Sequence, residues 1–115
     1  MSALGYYLSQ GYTPTWKAVA IGGAGTVTVW TPRTSTRIAI TGITVAQNLV
    51  GSTAFYFGNL AGDKIIEFRH GGSSTVSTDP GFFALSDTYD RTLVANSLAP
   101  GTDGVKITVT GFEIP

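Results

Sequence analysis

Two segments of the chain obey the same unusual rule. Arg37-Ile38-Ala39-Ile40-Thr41-Gly42-Ile43-Thr44-Val45 aligns without gaps on Lys106-Ile107-Thr108-Val109-Thr110-Gly111-Phe112-Glu113-Ile114. Each alternates apolar and polar residues with a period of two, as a strand with one buried face must. In each, the apolar set changes phase at the glycine: Ile38 and Ile40 give way to Ile43 and Val45, and Ile107 and Val109 to Phe112 and Ile114. A period-two pattern shifts by one residue only where the strand bulges or bends, and glycine tolerates the backbone this needs. The repeat therefore predicts two long strands that kink at Gly42 and Gly111 and curl around the corner of a sandwich.

The remaining sequence supports the same class. Ser and Thr together number 26, of which 17 are Thr, while Lys, Glu, Gln and Met are scarce. Good helix formers are thus few and β-branched residues many. Alternation recurs in Thr26-Val27-Thr28-Val29-Trp30, and further strands are expected at Trp16 to Ile21, Thr53 to Gly58, Lys64 to His70, Phe82 to Leu85 and Arg91 to Ala95. Turn formers fill the gaps at 22–25, 31–32, 51–52, 59–63, 71–81 and 100–104. No segment has a persuasive 3.6-residue period, although Ser86 or Asp87 could cap one helical turn before Arg91. The expected fold is all-β: a single antiparallel, jelly-roll-like β-sandwich of about seven or eight short strands.

Charge and cysteine content exclude several functions. With 115 residues, 7 basic and 7 acidic side chains and no cysteine, the chain is one domain's worth of sequence. It has no net field to collect nucleic acid. It can form no disulfide, thiolate nucleophile or cysteine-ligated metal site. No apolar run approaches the roughly 18 residues of a membrane span, and no basic residue precedes an apolar stretch between Met1 and Trp16. The expectation is a soluble chain made in the cytoplasm without a cleaved signal.

The inventory for catalysis is short. His70, the sole histidine, follows Arg69 at a strand end and precedes Gly71-Gly72, which reads as an exposed strand-end residue rather than a catalytic base. Gly71-Gly72-Ser73-Ser74 is no strained nucleophile elbow. Asp87 and Asp90, with Asp79, could share a calcium ion, but their spacing fits no calcium loop and Asp in turns usually bonds its own backbone. Glu67 cannot be placed against an aspartate for glycoside hydrolysis. The glycine run 22–25 lacks the Lys-Ser/Thr and the helix of a phosphate loop. Neither a cofactor nor an enzymatic activity is expected.

Surface for contact is what the sequence offers instead. Residues 1–16 carry Leu4, Tyr6, Tyr7, Leu8, Tyr12 and Trp16 with no charge before Lys17. Tyrosine and tryptophan dominate interface hot spots. This N-terminal arm could lie across a neighbouring subunit, with Tyr6, Tyr7, Tyr12 and Trp16 as contacts, or cover an open end of its own domain, residues 17–115. Trp16, Trp30, Tyr56 or Tyr89 gathered on one concave face would instead suit a sugar, and the break in alternation after Val29 leaves the side of Trp30 open.

Gly25 to Val29, the polar link Thr31 to Arg37, the strand Ile38 to Val45, the aromatic strand Ala54-Phe55-Tyr56-Phe57-Gly58, the segment Gly81 to Phe83 and the terminal Val105 to Glu113 together resemble small β-sandwich head decoration (cement) proteins of tailed bacteriophages. The resemblance spans most of residues 17–115 and rests on strand texture and order. It implies a virion structural protein on the capsid exterior that binds the major capsid protein, stabilises the shell and assembles as a homotrimer, with no catalytic residues, nucleic acid or membrane partner. A carbohydrate- or receptor-binding sandwich of a phage tail or fibre is the alternative.

Overall fold

The structure, a computed structural model, describes residues 3–22, 25–47, 50–60, 64–98 and 104–115. A short helix, α1 (Ala3–Ser9), precedes nine strands: β1 (Thr15–Ile21), β2 (Gly25–Trp30), β3 (Arg37–Gln47), β4 (Gly51–Phe57), β5 (Lys64–His70), β6 (Ser74–Ser77), β7 (Ala84–Leu85), β8 (Leu93–Ser97) and β9 (Val105–Ile114). They form two antiparallel sheets, one ordered β1-β9-β3-β6 with β7 also on β3, the other β2-β8-β4-β5. The pairings nest: β1 with β9, β2 with β8, β3 with β6 and β7, β4 with β5. One long antiparallel ribbon rolled into two sheets gives this order, the jelly-roll wrap.

The inner faces supply the core. Ile38, Ile40, Ile43 and Val45 of β3 and Val105, Ile107 and Val109 of β9 meet Phe55, Phe57, Phe68, Leu93 and Ala95 of the second sheet. The alternating side chains of β2 close one side, ending in a fully buried Trp30.

The two glycines behave differently. On β3 the register against β9 shifts between Ile40 and Gly42. Thr41 is thus the extra residue of a bulge, which returns Ile43 and Val45 to the inner face, as the phase change requires. On β9 no residue is extra: it pairs without interruption with β1 from Val105 to Gly111, and the β3 bulge lies opposite its Thr110–Gly111 step. The phase change at Gly111 comes instead from the outer face, which is itself covered there. Phe112 and Ile114 point outward into a second small core with Ala39, Leu85, Tyr7 and Tyr12. Gly111 is needed for another reason: a Cβ on it would run into the Ala39 carbonyl.

Other expectations are corrected. The stretch 71–81 contains β6, a polar edge strand whose Ser and Thr residues left no apolar alternation. Gly51 and Ser52 belong to β4 rather than to a turn. Residues 86–91 form turns, not a helical turn, and Phe82 and Phe83 lie before β7. The one helix among the described residues lies where no helical period was evident. The glycine run at 22–25 and the turns at 59–63 and 100–104 fall partly outside the described residues.

A methyl at Gly42 would meet the rotatable hydroxyls of Thr110, at 3.0 Å, and Thr78, at 3.9 Å, and no backbone. Gly111→Ala is therefore expected to cost about 3 kcal/mol or more, and Gly42→Ala clearly less, in urea unfolding.

Candidate interaction surface

The sequence of α1 explains its docking. The helix ends in a Schellman motif: Gly11 adopts φ 86°, its N–H donates to Leu8 O (3.1 Å), and Tyr12 N–H donates to Tyr7 O (3.1 Å). The apolar contact that accompanies this motif is here the edge-to-face pair Tyr7–Tyr12, with centroids 5.9 Å apart. Gly11 after Tyr-Tyr-Leu-Ser-Gln was the signal in the sequence, a C-terminal stop without an obvious helix before it.

Tyr7 is the anchor. Its ring packs on Phe112 at 5.3 Å and stacks on Phe83 at 5.9 Å. Burial, assisted by neighbouring Tyr6, pushes its phenol above the ordinary tyrosine value. Tyr7 and Tyr12 thus cover the outward-facing Phe112 and Ile114 of their own sheet. Tyr6 is half exposed, as are Leu4 and Leu8.

Trp16 is the second residue of β1, so the boundary drawn after residue 16 falls inside a strand. It pairs with Thr110, two residues along β9 from Phe112, and so stands on the same outer face as the helix. It is 66% exposed. Of the four arm aromatics, the structure places two inward and two outward. Leu4 and Leu8 add two further exposed apolar side chains on α1.

Sequence reasoning missed a charged network beneath this end. Glu113 accepts from Trp30 Nε1 (2.9 Å), Arg33 N (3.2 Å) and Arg33 Nε (2.7 Å). Burial alone would raise the Glu113 carboxyl, but these hydrogen bonds outweigh it and hold the group below its ordinary value. Lys17 lies 6.0 Å from the Trp30 ring centroid. The network answers where Trp30 sits: inside, its indole N–H satisfied. Asp90 is also occupied structurally, accepting from Ser35 N at 2.6 Å while its own N–H donates to Thr36 O. Asp87 pairs with Arg91 at 3.1 Å. No group of three potential metal ligands occurs among the described residues, and no helix there is long and apolar enough to cross a membrane.

His70 is not exposed. Its alternation with Phe68 on β5 turns it inward, leaving it only 3% accessible, and burial pulls its imidazole below the ordinary value. Of the aromatics considered for a sugar platform, Trp30 is buried and Tyr56 is half-buried on the second sheet, away from Trp16.

No protein-family model matches the sequence, nor does any curated protein. Among solved structures, the chain is similar to the cyanophage Pam1 capsid asymmetric unit, at 16% identity and TM-score 0.49 over 90% of this chain and 84% of that one. It is also similar to a family 6 carbohydrate-binding module (16%, TM-score 0.46, 92% and 90%) and to the Drosophila NLP core (17%, TM-score 0.47, 88% and 99%). These likenesses concern the course of the chain alone.

Tyr7→Ala is expected to destabilise the fold by about 3 kcal/mol by uncovering Phe112, whereas Tyr6→Ala should stay within about 0.5 kcal/mol; urea unfolding of both variants checks this. Glu113→Gln should cost about 1 kcal/mol at neutral pH. A lowered carboxyl contributes stability above its ordinary value of 4.5, lost as pH falls through the folded value. The difference between Glu113→Gln and wild type should therefore shrink toward pH 3, as read from denaturation midpoints.

Proposed function

We propose that this chain is a non-enzymatic virion structural protein, a decoration or cement protein that binds the outer surface of a phage capsid and stabilises the shell. The observation that carries the reading is a set of exposed large apolar side chains on this side of the first sheet: Leu4, Tyr6 and Leu8 on a helix anchored through Tyr7, and Trp16 on β1. Large apolar groups held rigidly outward lose little entropy on docking, which is what an interface needs. The resemblance of the strand pattern to small phage decoration proteins supports the major capsid protein as partner and a homotrimer as the assembly. Binding confined to the assembled lattice stabilises it by mass action, and many copies on one shell gain from multivalency.

The burial of His70 weighs against a hydrolase, since a base with no access to a substrate cannot act on one. The carbohydrate alternative keeps Trp16 and Tyr89 as exposed rings but loses Trp30 to the core.

Purified protein mixed with undecorated capsids of its phage should co-sediment and raise the capsid melting temperature. Trp16→Ser combined with Leu4→Ser should weaken binding by about 30-fold or more, the loss of one hot spot, while leaving the fold intact. Failure to co-sediment together with unchanged capsid melting would overturn the proposal. Light scattering on the isolated protein gives the oligomer number.

A further inference from the structure

At the end of the sandwich opposite α1, the interior turns polar. Gln47, Thr53, His70 and Ser97 are all buried there. Thr53 on the second sheet donates to Gln47 Oε1 on the first (3.5 Å), and Thr53 pairs with Ser97. Gln47 pairs in turn with Ser74 of β6. Ser74 Oγ lies 2.8 Å from His70 Nδ1 on β5. The His70–Ser74 hydrogen bond thus crosses from the edge of one sheet to the edge of the other, four residues apart in sequence. His70 Nε2 is buried with no hydrogen-bond partner among the described residues.

We propose that His70 and Ser74 form an acid-labile latch that fastens β6 to β5 and releases β6 on mild acidification. With Ser74 Oγ donating to Gly72 O at 3.4 Å, the neutral ring donates its Nδ1–H to Ser74 and leaves at Nε2 a bare lone pair rather than a buried N–H. A protonated ring would bury a charge and a second N–H with nothing to accept it. The groups facing His70 are uncharged: Gly51 opposite it on β4, Ser74 on β6 and Gln47 behind Ser74 on β3. On its own strand, Glu67 and Arg69 alternate to the other face, where they pair at 3.1 Å and Lys64 also holds Glu67. Among the described residues no carboxylate is thus placed to stabilise the imidazolium.

Protonation favours any state in which the ring reaches water, and β6 is a weakly held edge element. It is joined to β3 over four residue pairs, and only Val76 of its residues is partly buried. The sign follows from burial lowering the imidazole below 6.5. The latch is at full strength above about 6.5 and weakens as pH falls from there to the folded value. Glu67 and Glu113 both titrate below 4.5, outside this window.

Because His70 is the sole histidine, one imidazole titration by NMR reports the latch directly, and it should lie below 6.5. Amide protection factors, which correct for the slower intrinsic exchange in acid, should fall for residues 74–77 by up to about tenfold per pH unit between 6.5 and the folded value. Those at the centre of the β3–β9 pairing should hold. In His70→Gln the protection of 74–77 should not change between pH 7.5 and 5.5. A titration at or above 6.5, constant wild-type protection of 74–77, or an equal loss in His70→Gln would each overturn the latch. If His70→Gln does not fold, Ser74→Ala provides the second variant: it should raise 74–77 exchange at pH 7.5 toward the acid level, and unchanged exchange would count against the proposal.

Discussion

The pairing of β3 with β9 holds the wrap together. β9 joins β1 to the first sheet, and β3 joins β6 and β7, so neither half of that sheet has a partner without the central pair. The two strands are separated by most of the chain, and the closure entropy of so long a loop must be met before the pairing returns anything. The offset comes from two faces at once. The inner face of β3 and β9 carries seven buried aliphatic residues, and the outer face at their far end is sealed by Ala39, Phe112 and Ile114 beneath Tyr7. Close approach of the backbones at Gly111 and the bulge at Thr41 let both faces pack in one register.

The alternation made the inner face legible. Ile38, Ile40, Ile107 and Val109 read directly as one side of a sheet, and β5 lies where Lys64 to His70 placed it. Gly42 and Gly111 looked alike because periodicity reports that a pattern shifts, not what lies on the other side. Gly42 adjoins a bulge that keeps one face, whereas Gly111 marks where a strand starts to be buried on both. Distinguishing them required knowing that a helix covers Phe112. That helix was hidden because Leu4, Tyr6, Tyr7 and Leu8 are apolar nearly all round, which erases a 3.6-residue stripe; only Gly11 betrayed its end.

His70 shows the same lesson in reverse. Its place at a strand end suggested exposure, yet the alternation Phe68, His70 already put it on the inner side. Strand position sets solvent access less firmly than strand phase does. The candidate surface was half legible: the aromatic arm was visible, but which of its rings faced inward depended on Phe83, Leu85 and Phe112, residues distant in sequence that only the fold brings beneath Tyr7.

The scarce charges are largely committed within the chain. Arg33 and Glu113 are paired, Lys64 and Arg69 share Glu67, Arg91 holds Asp87, and Asp90 ties the loop at Ser35. Lys17, on the edge strand β1, turns inward over Trp30. An inward charge on an edge strand disfavours the flat addition of another strand, the commonest hazard of an exposed sheet edge. The outer face of β1 is left with Trp16, Ala18 and Ala20, and its neighbour β9 adds Lys106, Thr108 and Thr110. The guarded β1 edge, beside a face that holds Trp16 between Lys106 and the docked apolar helix, directs association there toward face-on docking rather than sheet extension. That preference is what a protein needs if it must cover a surface in many copies without polymerising with itself.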